Sequence, residues 1–209
     1  MMEIKMKTLF AATAALALMA TATTASAKIA NGTSVTDMTV TDSNGKQHNL
    51  SDFTGKRVVL EWTNDGCPYV QKHYDTDNMQ TLQKEATLDG DTVWLSIVSS
   101  APGKQGYVSG DGANELTTSR GAAPTAVVLD PAGNMGKTFA AKTTPHMYII
   151  DEVGTLVYQG AIDDNSSARK STVAGAKNYV RAAMSDLDAG RSVAVSDTAP
   201  YGCSVKYGS

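Results

Sequence analysis

The stretch VVLEWTNDGCPYV, residues 58–70, restricts the fold more than any other part of the chain. Its β-branched apolar run, VVLEW, reads as a buried strand. From Cys67 to Leu88 the spacing turns helical, with Val70, Tyr74, Met79 and Leu82 as apolar positions and no interrupting glycine. TVWLSIV then reads as a second buried strand. Strand, helix, strand in this order predicts two parallel strands joined by a right-handed crossover, and hence an α/β class.

The flanking segments extend this unit. Residues 35–50 alternate apolar and polar around Asn44-Gly45, as in a β-hairpin with a tight turn. Residues 99–121, rich in Gly and Ser, form an excursion with a short helix near its end. TAVVLD follows as a strand, GNMGKTFAA as a short helix, HMYIID as a strand, and TLVYQG as its hairpin partner across Glu152-Val153-Gly154. A final amphipathic helix is predicted over 172–187, with Val173, Ala176, Val180, Ala183 and Leu187 on one face. Residues 188–209 lack strong periodicity, and no internal repeat or linker marks a second domain.

Residues 1–27 read as a signal peptide. Lys5 and Lys7 form a basic start, 9–20 an apolar run, and Ala25-Ser26-Ala27 a cleavage site, with cutting expected after Ala27. The apolar run falls short of the roughly 20 residues that span a bilayer, so no stable membrane anchor is expected. Cleavage would remove two lysines and one glutamate and take the formal charge from −3 to −4. A mildly acidic chain with no basic cluster gives nucleic acid no footing. The expected location is periplasmic or secreted, where the only two cysteines, Cys67 and Cys203, can form a bridge or a working redox pair. The expected organisation is a single domain over 28–189 and a tail over 190–209 that carries Cys203.

Cys67 stands where a parallel strand gives way to a helix, facing the first, unpaired amides of that helix. Those amides and the helix dipole favour a thiolate. Pro68 suits the first helical turn because it has no N–H to lose. The competing reading of Cys67 is a small buried core residue.

With LSDFTGKRVVLEW leading into the cysteine, DPAGNMGKTFAA, and TTPHMYIIDEVGTLVYQG, the chain resembles the thioredoxin superfamily over about 32–187, and within it the peroxiredoxin-like redoxin group. The resemblance implies a thioredoxin-like fold, a central mixed β-sheet flanked by helices, with the N-terminal β-hairpin added. It also implies a cis bond before Pro145, which faces the active cysteine, and makes Thr144 and Pro145 substrate-contacting residues.

Two departures stand out. Val70 occupies the place of the second cysteine of a Cys-x-x-Cys pair, and Leu60 and Asn64 occupy the places of the proline and threonine that precede a peroxidatic cysteine. Asn64 retains the capacity to donate a hydrogen bond to a peroxide oxygen. Cys203, in TAPYGCSVKY, is the internal candidate for a resolving thiol on a bent tail segment; the competing readings are a permanent bridge to Cys67 and a thiol without a role. Glu61 matches a buried acidic residue of thioredoxins and is read either as a proton carrier for the thiol or as a solvent-facing strand residue. His146 and, with less weight, His73 are candidates to polarise the thiol. Trp62 is read as lining the pocket or filling the core.

These residues point first to an exported thiol-dependent oxidoreductase in which Cys67 attacks a peroxide or a disulfide. Cys203 resolves the product, Pro68, Asn64, Thr144, Pro145 and His146 bind substrate, an external thiol returns electrons, and no resident cofactor is needed. The alternatives are a monothiol disulfide oxidoreductase or isomerase, a copper site built from Cys67, Cys203 and His146, and a redox-silent peptide-binding module.

Overall fold

The computed structural model describes residue 1 and residues 28–208. The expected signal peptide and its cleavage site therefore lie outside the described residues. Among the described residues no helix is long and apolar enough to cross a membrane.

Strand β1 (Thr39–Thr41) pairs antiparallel with β2 (Gln47–Asn49), Val40 opposite His48. The hairpin is shorter than the alternating pattern because Asp42 captures the turn: its Oδ1 accepts the N–H groups of Asn44 and Lys46, each at 2.9 Å.

The main sheet contains β3 (Arg57–Trp62), β4 (Thr92–Val98), β5 (Ala126–Leu129), β7 (His146–Ile150) and β8 (Leu156–Gly160), in the order β5-β4-β3-β7-β8. Strand β3 runs parallel to β4, as the crossover argument requires, and antiparallel to β7. Because side chains alternate along a strand, β3 divides the core between two layers. Val58, Leu60 and Trp62 face a layer with Leu50, Phe139 and Tyr148. Val59 faces the other, with Val70, Met79, Leu82 and Val180. The indole N–H of Trp62 donates to Ser99 Oγ at 3.0 Å, which makes Trp62 a satisfied core side chain.

Two helices begin or end differently from the sequence pattern. The single helix expected over 67–88 is two, α1 (Pro68–Tyr74) and α2 (Asn78–Thr87). The break falls on a run of short polar side chains that compete for the backbone: Thr76 Oγ1 donates to Lys72 O at 2.7 Å, and Asp77 takes the left-handed conformation at φ 55°. The final helix α5 (Tyr179–Asp188) starts seven residues later than expected. Asn178 caps it by accepting the Arg181 N–H at 2.8 Å, and the Tyr179 N–H goes to Ile162 O at 2.9 Å, so Val173 and Ala176 precede the helix. Helices α3 (Gly110–Ser119) and α4 (Asn134–Thr138) fall in the two segments expected to hold short helices.

The tail is bonded to the domain along its length. Gln159 N donates to Ser196 O at 3.1 Å, Val205 N to Lys142 O at 3.0 Å and Ala101 N to Lys206 O at 2.9 Å. In the middle of this strap, β9 (Cys203–Ser204) pairs antiparallel with β6 (Thr143–Thr144).

Candidate functional site

Three segments meet at the site: the turn between β3 and α1, the segment around Pro145, and the tail. The turn is built by Asn64, whose carbonyl accepts the Cys67 N–H at 3.0 Å, whose Oδ1 accepts the Gly66 N–H at 3.0 Å, and whose Nδ2 donates to Gln105 O at 3.1 Å. The side-chain bonds of Asn64 are thus made within the turn and to the 99–121 excursion. Cys67 is the N-cap of α1, with extended backbone and Pro68 as the first helical residue.

The Cys67 side chain is 0% exposed, and its Sγ lies 3.1 Å from Thr144 O, the acceptor for its S–H. The Thr144-Pro145 bond is cis. Cys203 is the β-ladder partner of Thr144. Gly202 makes the approach possible: its φ is 137°, and a β-carbon there would lie 2.1 Å from Thr144 O. As a result the two cysteines, 136 positions apart in the chain, meet at the Thr144 backbone, packed in the same apolar layer and not covalently joined.

The pair is polarised. Burial pushes the Cys67 thiol up, but the polar groups around it, the Cys203 thiol first, then the Thr144 side chain and the Cys203 and Val70 amides, outweigh it and hold the thiol below its ordinary value. Cys203 is pushed up to about 11, first by burial and then by the hydrogen bond and charge of Cys67, with Lys206 opposing. Of the two thiols, Cys67 is therefore the more acidic and Cys203 the one that holds its proton.

Glu61 is elsewhere. It is 0% exposed and accepts from Tyr74 Oη at 2.8 Å, Gln83 Nε2 at 3.1 Å, Trp94 Nε1 at 2.9 Å and Ser96 Oγ at 2.8 Å. It therefore ties α1 and α2 to β4. It is neither solvent-facing nor bonded to either sulfur. Burial, and then the charge of Glu61, raise the Tyr74 phenol well above its usual value.

His146 is buried beside Pro145, with Nδ1 3.3 Å from the Lys142 N–H and 3.1 Å from Tyr148 Oη. Burial, helped by Lys28 and Lys142, lowers its pKa to about 3. The copper reading needed His146 to join the two sulfurs. Among the described residues no three His, Cys, Asp or Glu side chains converge to hold a metal.

His73 reaches the site through the tail. Asn78 Nδ2 donates to its Nδ1 at 2.9 Å, which leaves Nε2–H to face Tyr201 Oη at 3.3 Å; Tyr201 Oη in turn donates to Asp163 Oδ1. Lys72, also 0% exposed, donates to Asn165 O at 2.8 Å, lies 3.8 Å from Asp163 Oδ2 and stands 4.8 Å from the centre of the Tyr201 ring. Lys72, Asp163 and Tyr201 thus anchor the tail two residues before Cys203. Sequence reading missed all three. The only signal was their chemistry, a Lys at an apolar helical spacing and a Tyr beside the tail cysteine.

The sequence model of the Redoxin family matches residues 30–179. No curated protein matches the sequence. A hypothetical protein from Sinorhizobium meliloti 1021 superposes with a TM-score of 0.71 at 19% identity, covering 88% of this chain and 97% of its own. An uncharacterized conserved protein from Geobacillus kaustophilus superposes with a TM-score of 0.71 at 21% identity, covering 86% and 93%. The thioredoxin domain of a thiol-disulfide oxidoreductase from Bacteroides vulgatus does so with a TM-score of 0.50 at 18% identity, covering 71% and 98%. The family match spans most of the chain and the superpositions share its mixed five-stranded sheet with flanking helices: the fold is thioredoxin-like, and the chain belongs to the redoxin family.

Proposed function

We infer that the protein is an exported thiol-disulfide oxidoreductase that cycles between the Cys67, Cys203 dithiol and an intramolecular disulfide. The observation that carries this reading is the docking of the tail. An extended segment lies antiparallel on the strand before a cis proline and brings its own cysteine to the residue, Thr144, against which the acidic thiol at the helix start is packed. This is the arrangement thiol-disulfide exchange requires, with a thiolate nucleophile, a second sulfur within reach and backbone pairing to align them. Cys203 answers for the cysteine that Val70 replaces, so the redox pair is joined through space instead of along α1. Thr144 and Pro145 serve as the docking edge, Pro68 starts the helix, and Asn64 shapes the turn.

Chemically, the Cys67 thiolate attacks one sulfur of a disulfide substrate and displaces the other as a thiolate. Cys203, deprotonated as it attacks, then displaces the substrate's remaining sulfur from Cys67. The substrate leaves as a dithiol, and the protein holds the Cys67–Cys203 bond until an external thiol reduces it. Cys67 is fully covered in the dithiol form, so the tail has to lift for a protein substrate to reach it.

A second reading keeps peroxide as the oxidant, and the same two sulfurs favour it: an acidic thiol forms the sulfenic acid, and its neighbour condenses with it and releases water. One of the two side-chain N–H groups of Asn64 donates to Gln105 O, which leaves the other as the donor for a peroxide oxygen.

The test treats reduced protein with oxidised glutathione or, separately, with hydrogen peroxide, and follows free thiols and peptide mass. A linked Cys67–Cys203 peptide is expected, absent in Cys67→Ser, while Cys203→Ser accumulates a mixed disulfide at Cys67. Two thiols that survive both oxidants would refute the cycle. No peroxide consumption by the reduced wild type would remove the second reading. Export is supported by the basic, apolar and small-residue pattern of 1–27; a secreted or periplasmic product starting at Lys28 is the expected result of N-terminal sequencing.

A further inference from the structure

The two sulfurs are unequally accessible, and this fixes the direction in which electrons can enter. We propose that Cys203 is the sulfur attacked by the reducing thiol, so that Cys67 is the leaving group when the Cys67–Cys203 disulfide opens. The proposal rests on the disulfide cycle above and adds which half of the bond the electron donor meets.

Thiol-disulfide exchange is an in-line displacement: the attacking sulfur approaches from the side opposite the sulfur that leaves. Attack on Cys67 would have to come along a line pointing away from Cys203. Cys67 is 0% exposed and belongs to the apolar layer that also holds Val59, Val70, Met147 and Tyr158. No room for a donor sulfur exists there.

Cys203 differs. It is partly exposed, on a two-residue strand whose partner strand is itself only two residues long. The strap is bonded to the domain on both sides of it, through Tyr201 and Asp163 before and through Val205 and Lys142 after, so closing the bond between the two neighbouring sulfurs leaves the outer side of Cys203 toward solvent. Lys206, whose Nζ lies 3.3 Å from Ser204 Oγ, adds a positive charge beside this sulfur for an incoming thiolate. The acidity difference acts in the same direction, because the thiol held below its ordinary value is the better leaving group.

The step balances as follows. A donor thiolate forms a bond to Cys203 Sγ, the Cys67–Cys203 bond breaks, and the electron pair leaves on Cys67. A second donor thiolate attacks the donor's sulfur and releases Cys203, which takes a proton from water. The two donor thiols depart as their disulfide, and the protein regains both sulfurs reduced.

The test uses the oxidised wild-type protein and reduced glutathione. The reaction is quenched with acid in the first turnovers, alkylated with N-ethylmaleimide and mapped by peptide mass. Glutathione on Cys203 with N-ethylmaleimide on Cys67 is expected, at least ten times more abundant than the reverse. Glutathione predominantly on Cys67 would overturn the direction while leaving the cycle intact. If no Cys67–Cys203 disulfide forms during the oxidation, the cycle itself is refuted and this proposal with it.

Discussion

Gly202 passes the carbonyl of Thr144 so closely that a β-carbon on it would sit 2.1 Å from the oxygen. That contact sets the height of the tail above the docking edge and therefore the separation of the two sulfurs. Gly202→Ala should lift the strap and add strain at φ 137°. The expected outcome is disulfide formation slowed about tenfold or more in a diamide time course, because misplacement on the scale of 1 Å is enough for such a loss. Gly175→Ala, where nothing lies within 4 Å, is the matched control and should oxidise at the wild-type rate.

The thiols should depend on each other reciprocally. In Cys67→Ala, Cys203 loses the hydrogen bond and charge that raise it, and its pKa should fall from about 11 toward 9. In Cys203→Ala, Cys67 loses the neighbouring thiol that favours its ionised form and should titrate higher than in the wild type. Thiolate absorbance near 240 nm against pH reads both. Unmoved titrations would mean that the sulfurs do not touch in solution.

Stability should fall in mild acid. His73 and His146 are each held at about 3, against 6.5 for an ordinary histidine, chiefly by burial and then by Lys72 for His73 and by Lys28 and Lys142 for His146. Between those two values the unfolded chain binds protons that the native state refuses, so stability drops as pH is lowered through that window and levels off below it. The loss is on the order of a few kcal/mol per histidine. Urea midpoints at pH 7 and pH 4 should show it, and His146→Asn should reduce the difference.

Glu61 should behave as a structural acceptor. Glu61→Ala strands the buried donors of Gln83, Trp94 and Ser96 and should cost about 3 kcal/mol or more in denaturant unfolding. Glu61→Gln can keep an oxygen toward those donors, and Tyr74 can reverse its hydroxyl to accept, so its cost should be smaller. Neither change should move the Cys67 titration. A shift in that titration would return Glu61 to proton transfer.

Read by itself, the sequence determined the parallel β3-β4 pair, the antiparallel β7-β8 hairpin and the placement of Cys67 and Pro68 at a helix start. Each depends on local periodicity or on one residue's backbone chemistry. The resemblance correctly supplied the cis bond at Pro145. Helix limits were less legible: the polar run 75–77 breaks one helix and the Asn178 cap delays another, and both are decided by hydrogen bonds that an apolar pattern does not register. Only the tertiary structure decided the site itself. The meeting of Cys67 with Cys203, the Asp163 to Tyr201 anchor and the four donors gathered on Glu61 join residues far apart in the chain, and hydrophobic spacing carries no information about which distant polar groups will satisfy one another once buried.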